Sequence, residues 1–385
     1  MLNFLHFADL HLDSPFAHDR PAVRERKREG ALDLFGAVID RIVRDEIPLC
    51  LCPGDLFDTP NPSEGTVAAV RAGFARAAGC RFVIAPGNHD PYTPDSVWAT
   101  GNFSDNVIVF DSPDLTAVPL PELGCTVWGY AFVNDRPRTV CPLDGFHAEG
   151  EGAKLVVAHA DLVSANSTAC PITEQVIGQT GADYVALGHI HDGGVPHKIQ
   201  DTVWAYSGCT AGRDFGECGK KGVLLGSIDR SRGYADCTVR FAPMDAFCYY
   251  RDQADVSGCG SDEDCARRLT ELCEKNGWQG ECAVRLTLTG NLSADYHPSC
   301  AAIRAMVTGP EECEIIDRTL PLADREALAD DRTLRGEFFR ALLPALESDD
   351  PAERTTARFA LKLGLCAMDG IDPGTVELSA GEQEL

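Results

Sequence analysis

Short apolar runs alternate with amphipathic stretches through the first 240 residues. LNFLHFAD at the N-terminus predicts a strand. Residues 21–45 carry Leu32, Phe35, Ile39 and Ile42 at helical spacing and predict a helix. PLCLCPGD predicts a buried strand ending in a glycine turn. SEGTVAAVRAGFARAAG predicts a helix with Ser63 as N-cap, followed at once by an acidic residue. RFVIAPGNHD again reads as strand then loop. VIVFD, TVWGYAF, KLVVAHAD, YVALGHIH, TVWAYSG and GVLLGSID continue as short strands. Strands that alternate with helices in this way predict an α/β layered fold with buried sheets.

The pattern changes near Phe241–Met244, which divides the chain into expected domains of residues 1–242 and 243–385. In the second part, FCYYRDQADV, ECAVRLTLTG and CEIIDRTL read as strands. DEDCARRLTELCEKNG reads as a helix ending at Gly277, and SADYHPSCAAIRAMV as another. The expected unit is a compact β-α-β-α-β arrangement. Residues 331–368 predict one or two helices broken near Pro344 and Pro351, and the polar last fifteen residues predict poor order.

Composition narrows the classes. The chain has 385 residues, of which 44% are hydrophobic and 24% charged, enough to fill a sizeable core. No apolar run is long enough to cross a bilayer, and the N-terminus has no basic stretch of the kind that opens a signal peptide. The expected compartment is therefore the cytoplasm, with no membrane partner. The seventeen cysteines are odd in number, scattered from Cys50 to Cys366 and without a CxxC pair. They read as reduced thiols rather than a disulfide framework or structural zinc site. The net charge of −25 argues against a free-standing nucleic-acid binder, which would show a basic balance. Bound metal cations would reverse the local sign where it matters.

The candidate chemistry sits where strands give way to loops: Asp9-Leu10-His11, Gly54-Asp55-Leu56-Phe57-Asp58, Gly87-Asn88-His89-Asp90, His159, and Gly188-His189-Ile190-His191. That is the edge at which α/β folds place ligands. An extended D-x-H segment points both side chains one way. Mixed oxygen and imidazole donors suit manganese, iron or zinc. A carboxylate such as Asp55 can bridge two cations, and such a pair can clamp the oxygens of a phosphate ester. Glycines at 54, 87 and 188 permit sharp turns. His6, His18, His147, His197 and His297 are not expected to be ligands. Arg213, Lys220 and Lys221 either approach a phosphate backbone or lie on a hairpin surface.

The ordered set DxH, GDLFD, GNHD, H and GHIH resembles the calcineurin-like metallophosphoesterases. ADLHLDSPF, GDLFDTPNPS, GNHDPY and YSGCTAGRDFGECGKKGVLL look like its SbcD/YhaO-like branch of DNA repair exonucleases, over about residues 1–230. The resemblance implies a two-sheet β-sandwich flanked by helices, with a small α/β cap and helical tail. It implies that Asp9, His11, Asp55 and His191 bind one metal and that Asp55, Asn88, His159 and His189 bind the other, with Asp55 bridging. His89 would be the non-ligand catalytic histidine that stabilises or protonates the leaving oxygen. Asp58 would orient it, unless it caps the next helix. The implied cofactors are two divalent ions, manganese first, with iron or zinc as alternatives.

The expected activity is phosphodiester hydrolysis by a DNA exonuclease or endonuclease in end processing and repair. The resemblance implies a separately encoded SMC-like ATPase as a partner; the chain has no GxxxxGK[ST] and so is not that ATPase itself. A homodimer is a further option. The competing expectation is a small-molecule phosphodiesterase or nucleotidase, since one metal centre serves many esters. A protein phosphatase fits less well, because Thr59 stands where GDxxD is followed by arginine in those enzymes. A non-catalytic scaffold would have no need for every ligand.

Overall fold

A computed structural model describes residues 1–16, 21–134, 136–162, 164, 166–244, 246–293, 296–322, 325–368 and 370. The chain divides into two compact units, Met1–Ala246 and Phe247–Leu385.

In the first unit, one six-stranded sheet contains β1 (Leu2–His6), β2 (Leu49–Cys52), β3 (Arg81–Ile84) and β4 (Val107–Val109). The other contains β5 (Thr116–Leu120), β6 (Cys125–Gly129), β7 (Ala153–His159), β8 (Tyr184–Gly188), β9 (His197–Ile199) and β10 (Thr202–Tyr206). The strands β11 (Gly222–Asp229) and β12 (Asp236–Pro243) return to the first sheet. The orders are β12-β11-β1-β2-β3-β4 and β5-β6-β7-β8-β10-β9. Helices α1 (Pro21–Arg44), α2 (Glu64–Arg76), α3 (Val97–Thr100) and α4 (Glu174–Gln179) complete the unit. This is the α/β layered fold that the alternation predicts, with the two helix-flanked sheets that the resemblance implies.

Side-chain alternation explains why the strands read as nearly continuous apolar runs. Leu2, Phe4, Leu49 and Leu51 turn into a core shared with Leu155, Val157, Tyr184 and Ala186 of the second sheet. Their neighbours Leu5, Cys50 and Cys52 turn the other way, onto Phe35, Ile39, Val70 and Phe74 of α1 and α2. Both faces are therefore buried, as in parallel sheets generally. Ser63 caps α2 through its Oγ, so Asp58 is not the cap. β5, β9 and β12 were not expected. β5 and β9 are edge strands of the second sheet and β12 an edge of the first, and the burial of β12 alternates with exposed positions.

The second unit contains β13 (Cys248–Asp255), β14 (Gly280–Thr289) and β16 (Pro310–Asp317), parallel in the order β13-β14-β16, with α5 (Asp262–Asn276) and α6 (Cys300–Met306). A short parallel pair, β15 (Asn291–Ser293) and β17 (Leu320–Leu322), was not expected. α5 ends at Gly277 in the left-handed conformation, which a glycine adopts without steric cost. The second expected helix is shorter than its sequence suggests: it starts after Ser299, whose hydroxyl accepts from Ala302 N. The tail forms α7 (Arg325–Asp330), α8 (Leu334–Leu346) and α9 (Pro351–Met368). Pro344 lies inside α8 and does not break it, whereas Pro351 is the first residue of α9, where a missing N–H costs nothing. The last fifteen residues lie outside the described residues.

All seventeen cysteines are free thiols, most of them buried. No described helix is long and apolar enough to cross a membrane.

Candidate metal centre

The candidate residues converge on the loops after β1, β2, β3, β7 and β8. The first two loops run side by side and are laced by the backbone. His11 N donates to Asp55 O at 3.0 Å, Leu12 N to Leu56 O at 2.9 Å, and Asp58 N to Leu12 O at 2.9 Å. The D-x-H segment is not extended, contrary to expectation. Asp9 (φ 53°), His11 (φ 47°) and Asp55 (φ 50°) are left-handed, and His189 has φ 104°. Such backbone costs on the order of 1–3 kcal/mol per residue and persists where surrounding contacts over-determine it. Asp9 and His11 reach the same space because of these turns, not because of strand alternation.

Of the three glycines expected to permit sharp turns, Gly87 and Gly188 have no positive φ. Gly54 does turn at φ 90°. Gly87 is needed for close approach: a Cβ there would lie 2.2 Å from Asp55 Oδ1.

Three histidines are held from behind. His11 Nδ1 lies 2.8 Å from Asp58 Oδ1, His159 Nδ1 2.9 Å from Pro53 O, and His191 Nδ1 2.6 Å from Glu217 Oε1. With each Nδ1–H donated outward, each Nε2 lone pair faces inward, the arrangement that outer partners impose on metal-binding imidazoles. His11 Nε2 and His191 Nε2 stand 3.1 Å apart. Two lone pairs at that distance repel unless a cation or proton lies between them. Burial lowers the basicity of His11 and His159, and pushes His189 down to about 4, which favours the neutral form a ligand requires.

Asp55 is central. Its Oδ2 lies 3.3 Å from His159 Nε2 and 3.9 Å from His11 Nε2, and its Oδ1 accepts from His89 N at 2.9 Å. Burial pushes its pKa up, and the facing imidazoles of His159, His11 and His89 together with the His89 N–H bring it to a net value below the ordinary carboxylate one. Asp9 goes the other way. Burial and then the Asp55 charge push it well above its ordinary value, although His189 N donates to both of its oxygens at 3.1 Å. Ligating atoms of Asp9, His11 and His191, and those of Asp9, Asp55 and His159, close within 4.8 Å of one another. Asn88 Oδ1 contacts His159 Nε2 at 2.8 Å. The His189 ring packs 5.2 Å from the His159 ring, with its Nε2 3.7 Å from Asp161. Buried carboxylates facing imidazole lone pairs form a donor set that fits divalent cations.

His89 differs from these groups. Its side chain is 44% exposed, and its ring meets His11 edge-on at 4.7 Å. Asp58 Oδ1 stands 3.6 Å from His89 Nδ1, so its hydrogen bond goes to His11 instead.

Residues without an expected role also build the site. Asp90 is buried, and its carboxylate accepts from Asp55 N at 3.1 Å, Gly87 N at 2.8 Å and Phe57 N at 3.2 Å. Its place in GNHD was the only sequence signal. Lys221 is buried and donates to His191 O at 3.2 Å, and Arg213 lies 3.9 Å from Asp58, so neither is a hairpin-surface residue; Lys220 is exposed. The histidines not expected as ligands lie elsewhere: His6 on Tyr184, His147 on Gln179 O, His197 stacked on Trp204 and His297 against Cys366. His18 lies outside the described residues.

Residues 2–193 match the family described as calcineurin-like phosphoesterase. Over 247 residues the chain is 28% identical to a Bacillus subtilis protein named uncharacterized metallophosphoesterase YhaO, an alignment that covers 58% of this chain and 57% of that relative. The chain thus spans little more than half the relative's length. Among solved structures, a dimetal phosphatase from Danio rerio aligns at TM-score 0.40 and 13% identity, covering 62% of this chain and 98% of that one. A purple acid phosphatase from yellow lupin (Lupinus luteus) seeds aligns at TM-score 0.34 and 13% identity, covering 62% and 53%.

Proposed function

We propose that this chain, whose residues 2–193 match the calcineurin-like phosphoesterase family, is a two-metal phosphodiester hydrolase that cuts DNA at its ends. The observation that carries the metal reading is the position of Asp55 Oδ2 between His159 Nε2 and His11 Nε2, at 3.3 and 3.9 Å. A carboxylate so placed serves both halves of a two-ion centre. Asp9, His11, Asp55 and His191 would hold one ion; Asp55, Asn88, His159 and His189 would hold the other. Two divalent cations, manganese first and iron or zinc as alternatives, supply Lewis acidity and a clamp on the phosphate oxygens.

The chain's own groups do the rest. His89, exposed at the rim, holds a proton within reach of a leaving oxygen. Asp58 and Pro53 O keep His11 and His159 turned inward. Gly87 lets the β3 loop lie against Asp55.

The DNA reading rests on the motif variants ADLHLDSPF, GDLFDTPNPS and GNHDPY. The net charge of −25 favours a second reading, hydrolysis of small phosphodiesters or nucleotides. If DNA is the substrate, phosphate repulsion makes its binding weak and strongly salt-sensitive, and an SMC-like ATPase partner would supply basic surface. The test uses the purified chain with manganese on linear, hairpin and single-stranded DNA beside a small diester, with Asp55→Asn as control. Cleavage of the DNA forms that Asp55→Asn abolishes supports the nuclease reading. Turnover of the small diester or nucleotides with no DNA cleavage under any metal or partner condition replaces it with the second.

A further inference from the structure

His191 has two polar neighbours behind its ring, and they make opposite demands. Its Nδ1 lies 2.6 Å from Glu217 Oε1 and 2.9 Å from Arg213 Nη2. A neutral imidazole carries one ring proton. With that proton on Nδ1, the ring donates to Glu217 and the Nε2 lone pair faces the centre. With Nδ1 accepting from Arg213, the proton sits on Nε2 and the lone pair is withdrawn from the centre.

The geometry ranks the two arrangements. Both bonds are charge-assisted, and the carboxylate contact is the shorter of the two. Arg213 is also held on Glu217. Its Nη2 lies 2.7 Å and its Nε 3.0 Å from Oε1, and its backbone N donates to Oε2 at 2.8 Å. Lys27 Nζ donates to Arg213 O at 2.9 Å, which fixes the segment against α1. Cys209, His191 and Glu217 also bring ligating atoms within 4.8 Å of one another. The Arg213 guanidinium already supplies a positive charge there, so the cluster reads as an ion pair rather than another cation site.

We propose that Glu217 is a positioning residue that keeps the His191 Nε2 lone pair turned into the metal centre, and that Arg213 holds Glu217 in place while competing for His191 Nδ1. Both residues lie beyond residues 2–193, the part matched by the family. The inference rests on His191 being a metal ligand.

The test is calorimetric titration of full-length, chelator-stripped protein with manganese, read beside thermal melting. Wild type should bind two ions. Glu217→Gln keeps the shape and loses the charge. It should leave one ion at wild-type affinity and weaken the other about 10–100-fold, the usual effect of losing an outer partner. Adding Arg213→Met removes the competing donor and should restore part of that loss, which a merely structural role would not produce. If wild type binds two ions and Glu217→Gln binds both equally well, the positioning role is overturned and the metal reading stands. Equal weakening of both ions with a lowered melting temperature also overturns it, as does a double variant weaker than the single. If wild type binds no ion, the metal reading falls and this inference falls with it.

Discussion

Asp58 and His11 are joined by a 2.8 Å hydrogen bond between Oδ1 and Nδ1, whereas the same oxygen stands 3.6 Å from His89. The carboxylate near the exposed histidine therefore braces a buried one. Asp58→Asn should lower metal content as well as rate, because an amide can present its NH2 to His11 Nδ1 and reverse the ring's proton preference. Elemental analysis after dialysis checks this. Full metal retention would return Asp58 to a role on His89 alone.

His89 separates chemistry from binding. His89→Ala should keep both ions and lose about 10²–10⁴-fold in turnover, the range of a general acid–base group. Metal loss in that variant would make His89 a ligand.

Asp55 should be the costliest ligand to change. Asp55→Asn should lose more metal than His11→Ala, since Asp55 faces both His159 and His11 whereas His11 would serve one ion of the proposed centre. Equal metal content in the two variants would remove Asp55 from the bridging position.

Asp90 is expected to act through structure. Asparagine has one acceptor oxygen in place of two, so at least one of the N–H groups of Asp55, Gly87 and Phe57 is left unpaired. Asp90→Asn should cost about 1–3 kcal/mol in urea unfolding, with loss of metal as the β2 loop shifts. Unchanged stability would show that the three contacts are replaceable.

His6 sets an acid limit. Burial pushes it down to about 3 from an ordinary value of 6.5. Between these values the unfolded chain binds a proton that the fold excludes. The stability it contributes is complete above about pH 6.5 and is lost as pH falls toward about 3. His11, His159 and His189 are shifted in the same direction. His6→Gln should therefore flatten the acid limb of a melting-temperature profile without abolishing it. An unaltered slope would mean that His6 is already protonated in the fold.

Much of this protein is legible in its sequence because the governing physics is local. Short continuous apolar runs specify doubly buried strands, Ser63 and Gly277 mark helix ends, and the five polar motifs fall where strands must stop. The order of those motifs along the chain also carries the resemblance to the family that residues 2–193 match. What depends on distant partners is not legible. β5 and β9 pair as edges of a sheet whose register only the whole unit defines. Asp9 and His11 converge through left-handed turns that the neighbouring Gly54–Leu56 backbone imposes, although the same residues in isolation favour extended chain. Glu217 lies 26 residues from His191, and His11 lies 180 residues from it. No period in the sequence encodes such separations. Pairing of β1 with β2 places Asp58 behind His11, and packing of the two sheets brings His159 and His191 up to them; only the tertiary structure decides which carboxylate braces which imidazole.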